Sequence, residues 1–334
     1  MRSKPLVVLV AAVCLLTSCS GGAKHVAKPT PTPSPTPSPT PTIAPTDPLS
    51  GSTTVSHASL VAIKVDNAPL ARPYQVGLGK AAIVYEEIVE GGLTRFLTVF
   101  ESDVAGNTEV GPIRSGRESD VDILRAFGSI PVGFSGAQPG VRAIFHNAEA
   151  HHWLRDASYD VVPGQYRLGA RRKDARNFYS SAAKLAAVRP GSPPMDIGLR
   201  FGPAAVGVPT LHATAAFSPF TQVGLRYVPT RQRYVVSQSG TVTNEAAPAS
   251  VIIQTVVVNG SRFRDIHGLT TPRTVSTGAG KVVVLTRGGR VEGTWRRTSY
   301  GATHFLDRLG KDILLPPGPI WVLLLPSTGR ITYA

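Results

Sequence analysis

The sequence predicts an α+β fold: a mixed α/β part over residues 57–195 and a mainly β part over 217–334, joined by a connector at 196–216. Three observations lead there. Apolar residues are 42% of the 334 and charged residues 17%, enough for a packed core and too apolar for a disordered chain. Strand-type and helix-type runs interleave as far as Pro190. Beyond a Gly-, Pro- and Ala-rich stretch from Gly191 to Pro219 the helix signals nearly vanish.

The chain opens with a positive segment, Arg2 and Lys4, and an apolar run from Leu6 to Leu16. A helical span of the bilayer takes roughly 20 apolar residues, so this shorter run reads as a secretory signal peptide, residues 1–18. It ends in Leu16-Thr17-Ser18-Cys19, similar to the lipobox of bacterial lipoproteins, in which the cysteine is acylated and becomes the mature N-terminus. Cys14 would leave with the peptide and Cys19 would carry lipid, so the folded part has no thiol for disulfides, metal or nucleophilic catalysis. Residues 19–56 follow as a tether. Its Pro/Thr/Ser alternation between Lys28 and Pro48 builds no core and favours an extended polyproline path.

In the first folded part, Leu60–Val65 and Ala81–Tyr85 are strand-type runs, and Leu93–Phe100 alternates as a half-buried strand would. Ser119 through Leu124 opens with a capping residue and early acids, a helix start that the dipole favours. Ile130–Phe134 reads as a buried strand, and Ala-rich Tyr179–Val188 as a helix stopped by Pro190. In the second part, Tyr234–Val236, Ser250–Val258, Val282–Thr286, Val291–Arg296 and Ile320–Leu325 are strand runs, with a hairpin turn at Gly288-Gly289.

Charge separates the two parts. The whole chain carries 35 basic and 21 acidic side chains, a formal +14. Residues 57–200 hold 17 basic against 15 acidic, whereas 201–334 hold 14 against 5. Such an excess points to anionic partners: lipid head groups or phosphate-bearing wall polymers. Nucleic acid is not expected outside the membrane.

The densest group of chemistry-bearing side chains is Glu86, Glu87, Glu90 and Arg95 around Gly91-Gly92, followed by Arg114 and Arg117 around Gly116, with Asp120 close behind. Glycines let backbone approach a ligand, and arginines offer paired donors to carboxylate or phosphate. Glu86, Glu90, Arg95, Arg114 and Arg117 are the candidate binding residues. Glu87 and Asp120 are weaker candidates for acid–base catalysis. The same acids and arginines could instead pair with one another and fix two loops.

Several of these stretches carry a resemblance. Pro48-Leu49-Ser50-Gly51, Asp66-Asn67 with Arg72-Pro73, Ala82 to Glu86, Glu90 to Phe96, and Gly111-Pro112-Ile113-Arg114-Ser115 together resemble the YerB-like family of proposed bacterial lipoproteins. So do Ser276-Thr277-Gly278, Gly293 to Arg297 and Leu315-Pro316-Pro317-Gly318 in the second part. The resemblance spans nearly everything beyond the tether and implies a two-part domain of unknown function. One departure matters: the family's Arg-x-x-Pro-His-Asn stretch stands here as Lys173-Asp174-Ala175-Arg176-Asn177, without the histidine, which weakens the case for catalysis.

Other motifs carry less. His146, Glu149, His151 and His152 lack the i, i+4 spacing of a helical metal site, so no metal is expected. Gly133-Phe134-Ser135-Gly136-Ala137 approaches a nucleophile elbow, but that motif needs a helix at once, which Pro139 and Gly140 oppose. Ser276 to Lys281 lacks the first glycine and the magnesium-holding hydroxyl of a P-loop. No cofactor is expected. The favoured expectation is a lipid-anchored protein on the extracytoplasmic face, without enzymatic activity, binding an anionic or glycan envelope ligand or another envelope protein. The alternative is an envelope glycan or phosphodiester hydrolase with paired carboxylates.

Overall fold

A computed structural model describes residues 46–171, 176–204, 207–243, 245–265 and 267–334. The signal peptide, Cys19 and most of the tether lie outside the described residues, as does the Lys173–Ala175 departure. Ordered structure begins before residue 57. The Asp47 carboxylate accepts the N–H groups of Leu49 and Ser50 at 2.9 Å and of Ser56 at 3.2 Å, and Leu49 is wholly buried.

In the first part β1 is Leu60–Asp66, β2 Ile83–Ile88, β3 Thr94–Glu101 and β4 Val110–Ile113. Helix α1 spans Glu118–Leu124, β5 Pro131–Gly133, α2 Pro139–Ala150, β6 Arg176–Ser180 and α3 Ala182–Val188. Tyr179 thus lies within a strand, and only the alanine-rich remainder of that run is helical. In α2, Pro139 takes the first helical position, where a missing N–H costs nothing. The Gln138 side chain accepts the N–H of Gly140 at 2.6 Å. Pro139 therefore starts a helix instead of opposing one, four residues past Ser135.

In the second part β7 is His212–Ala216, β8 Gln222–Val228, β9 Arg233–Gln238 and β10 Ser250–Val256. Strands β11 (Val258–Arg264) and β12 (Thr270–Thr274) form a separate hairpin. Then come β13 (Gly278–Thr286), β14 (Gly289–Arg297), β15 (His304–Asp307), β16 (Ile320–Pro326) and β17 (Arg330–Tyr333). The β13–β14 turn places Arg287 and Gly288 at φ 49° and 76°, the left-handed pair of a two-residue hairpin loop. Strand β7 forms within the stretch whose composition reads as a connector.

The two parts meet in one large sheet, ordered β15–β14–β13–β10–β16–β2–β3–β1–β4–β6. Strand β16, from the end of the chain, lies parallel to both β2 and β10, with Ile83 and Ser250 each opposite Ile320. Both faces of this sheet are covered. On one face, Ala62, Leu97, Ile252 and Val322 pack with Val121, Leu124, Val141 and Phe145 of the helices. On the other, Ile63, Phe96, Ile253 and Trp321 pack against Ala215, Val223 and Val236 of a five-stranded sheet that includes β9–β8–β7–β17. β3 is therefore almost fully buried, not half-buried as its alternation suggests, because both faces of the sheet are covered.

Candidate functional site

Four loops leave the sheet at one end and meet a fifth from the second part. They enclose a cleft of ≈ 780 Å³. The β2–β3 turn supplies Glu90 and Arg95, β1 ends in Asp66, and the β4–α1 loop supplies Arg114 to Arg117. Gly136 to Pro139 leads into α2, and the β11–β12 hairpin closes the far side with Arg264, Asp265, His267, Leu269 and Thr271. Gly91 and Gly92 both sit at φ 70°, which lets the turn reverse so tightly. The Gly92 carbonyl accepts the hydroxyls of Ser218 and Thr221 at 2.6 and 2.8 Å, tying the turn to the five-stranded sheet.

Within the cleft Arg117 pairs with Glu90 and donates to the Gly116 carbonyl at 2.9 Å. The other Glu90 oxygen accepts the Thr271 hydroxyl at 2.8 Å, so one carboxylate joins the β4–α1 loop to the hairpin. Burial pushes Glu90 up, but the Arg117 charge and hydrogen bond, with Arg95, hold it below the usual carboxylate range. Half-buried Arg95 donates to the Ser115 carbonyl at 3.2 Å. Burial, then Arg117 beside it, depresses its guanidinium to about 9, against the pull of Asp66 and Glu90. Arg114 lies 3.4 Å from Asp66. Four arginines thus line the cleft against three acids, Asp66, Glu90 and Asp265. The depressed Arg95 marks positive charge crowded where water is scarce, a setting that an anion would relieve.

Of the candidate binding residues, Glu90, Arg95, Arg114 and Arg117 converge. Glu86 does not. It is fully buried on the opposite face, accepting from Thr94 at 2.8 Å, Gln238 at 2.9 Å and Trp321 at 3.1 Å. Burial pushes it up to about 7, although those hydrogen bonds and Arg72 oppose the shift. Glu87 and Asp120 are also off the cleft: both are buried against the Lys64 ammonium, so neither faces an open space where a substrate could sit. In the histidine run, the ring of His151 stacks on Trp153 at 4.9 Å. Ser135 gives its hydroxyl to the Ile113 carbonyl at 2.9 Å instead of presenting it.

Residues 48–193 match the family described as protein of unknown function (DUF3048) N-terminal domain, and residues 213–322 its C-terminal domain. A Bacillus subtilis protein named "Putative lipoprotein YerB" is 26% identical over 84% of this chain and 86% of its own. The chain belongs to the YerB-like family. A crystal structure of the YerB protein from Bacillus subtilis shares the fold, with a TM-score of 0.68 at 22% identity over 86% of this chain and 99% of that one. The YerB-like α+β architecture is thus a mixed first part and a mostly β second part.

In this YerB-like chain the hairpin's share of the cleft is not among the sequence-predicted site residues. Arg264, Asp265, His267 and Thr271 lie almost 150 residues beyond Arg117 and carry no motif. A faint signal exists: Asp265 caps its own turn, accepting the N–H groups of His267 and Leu269 at 2.9 and 2.8 Å, the local pattern of an Asx turn. What brings the hairpin over the cleft is its anchorage to α1. The N–H of Thr274 donates to the Ser119 hydroxyl at 2.9 Å, and Arg273 pairs with Asp122 at 2.9 Å.

Proposed function

We propose that this is a lipid-anchored protein of the extracytoplasmic envelope, held through Cys19, whose cleft binds an anionic envelope ligand without turning it over. The observation that carries the reading is the convergence of Arg95, Arg114, Arg117 and Arg264 on one space large enough for a sugar-sized group. Guanidinium forks suit carboxylate and phosphate, and the flanking acids and backbone carbonyls suit hydroxyls. A carboxylate- or phosphate-bearing saccharide presents both. The name of the Bacillus subtilis relative supports the lipid anchor, and the lipobox at Cys19 supplies the acylation site. Acylation at that site would hold the fold at the bilayer.

The reading disfavours the hydrolase alternative because, of its four candidate acids, Glu86, Glu87 and Asp120 point into closed cores and Glu90 is held by Arg117 and Thr271. Calorimetric titration of the purified protein with polyglycerol-phosphate fragments and with muramyl peptides tests the reading. Saturable binding that weakens as sodium chloride is raised is expected. Absence of binding to both probes at low salt overturns the anionic-ligand reading, and release of cleavage products overturns its non-enzymatic part.

A further inference from the structure

Lys64 is a lysine without solvent exposure, and the cleft does not use it. It projects from β1 to the helix-covered face, where its Nζ donates to Glu87 on β2 and, at 2.6 Å, to Oδ1 of Asp120 in the first turn of α1. Asp120 uses Oδ2 to accept the backbone N–H of Arg117 at 2.7 Å. Glu87 lies within hydrogen-bond reach of Asp120, and its Oε2 has no donor among the described residues. Two carboxyls thus face one ammonium in a site closed to water. Burial raises Glu87 well above the usual carboxylate range, which favours its protonated form beside Lys64 and Asp120.

We propose that Lys64 and Asp120 condense into an intramolecular amide, with Glu87 relaying the proton. In a dry interior a neutral amine and a neutral acid compete well with a desolvated ion pair, so the Lys64 proton passes to Oδ1 of Asp120. The Nζ lone pair then attacks Cγ of Asp120 and forms the N–C bond, while the carbonyl electron pair moves onto Oδ2. That oxygen already faces the Arg117 N–H, which serves as half of an oxyanion hole. Glu87 takes a proton from Nζ through Oε1 and returns one to Oδ1 through Oε2. The Cγ–Oδ1 bond breaks, and water leaves. One ammonium and one carboxylate become one amide and one water, and Glu87 ends as it began. No oxidant, metal or further reactant is needed.

Contact in a fixed geometry lowers the barrier that keeps free amine and acid from condensing in water, since effective concentrations of held groups reach ~10⁵–10⁸ M. The product also replaces two buried charges with a neutral group. Its consequence is mechanical: β1 becomes bonded to the start of α1, next to the loop that carries Arg117 into the cleft. The proposal does not depend on what the cleft holds.

Tryptic digestion of the full-length denatured protein, read by tandem mass spectrometry, tests it. The expected result is no cleavage after Lys64, with the peptide Glu118–Arg125 joined to the Lys64-containing peptide at their summed mass less one water. Fragmentation should place the bond on Asp120 and not on Asp122. Cleavage after Lys64 with an unmodified Glu118–Arg125 peptide overturns the proposal, and a bond from Lys64 to Glu87 overturns the choice of acceptor. In Glu87→Gln, judged folded by circular dichroism, linkage should form at least about a hundredfold more slowly. An unchanged rate removes Glu87 from the relay. The wild-type digest decides the bond even if that variant fails to fold.

Discussion

Glu86 and Glu87 follow one another along β2 and lie in different cores. Side chains alternate across a strand, so Glu86 points to the five-stranded sheet, with Gln238 and Trp321, while Glu87 points to the helices, with Lys64 and Asp120. Three residues on, past the end of β2, Glu90 enters the cleft. One short acidic stretch thereby serves both faces of the sheet and the site at its edge.

The position of Glu86 sets a pH dependence. Its folded pKa of about 7 exceeds the ordinary carboxylate value, so the folded protein holds more protons than the unfolded chain between roughly pH 4.5 and 7. Stability therefore falls as pH rises through that window. Glu101 adds in the same direction, raised to about 7 by burial and by Asp47 and Asp103. Glu86→Gln keeps an acceptor for Trp321 and Gln238 without the charge. Thermal melts should show it close to wild type at pH 5 and more stable at pH 8, by up to about 3 kcal/mol. A wild-type melting temperature that rises from pH 5 to pH 7.5 contradicts this account.

Of the two arginines on the β4–α1 loop, Arg114 can be removed with less damage to packing, because about a third of its side chain is exposed whereas Arg117 is buried. A hydrogen bond to a charged ligand contributes about 1.5–3 kcal/mol, so Arg114→Ala should weaken binding of polyglycerol phosphate by roughly 10- to 100-fold. It should also flatten the dependence of affinity on salt, which counts the charges engaged. Titrations at three sodium chloride concentrations measure both.

Glu90 joins the β4–α1 loop to the hairpin through Arg117 and Thr271. Glu90→Ala leaves the Arg117 guanidinium without its carboxylate and should cost about 1–3 kcal/mol. The loss should concentrate locally. Hydrogen exchange of residues 258–274 and 114–118 should accelerate while β10 and β16 stay protected. Uniform acceleration across the fold would show that the hairpin is not independently hinged on this carboxylate.

Cys19 is expected to be the anchor. Cys19→Ala should move the protein from the detergent phase to the aqueous phase on Triton partition and abolish incorporation of labelled palmitate, since the folded part holds no cysteine. Among the described residues no helix is long and apolar enough to cross a membrane.

Much of the architecture was legible from local pattern alone. Leu60–Val65, Ser250–Val258 and Ile320–Leu325 are β-branched or aliphatic runs with few other options than buried strands. The glycines at 91–92 and 116 marked the loops that reach the cleft, and the arginines beside them were recognisable because their donor geometry suits anions. Which acids accompany those arginines was not legible. Glu86, Glu87 and Glu90 look alike in the chain, and only strand register and the layers on either side assign them to two cores and a cleft. Nor does anything local tell Ile320–Leu325 to insert between β2 and β10, or Arg264 and Thr271 to close a site begun before residue 118. Such partnerships depend on shape and apolar surface at distant positions, which enter the free energy only when the chain has folded back on itself. Composition and spacing determined the kinds of element and the candidate arginines. The assembled sheet decided which side chains share a space, because burial and register act between strands and not along them.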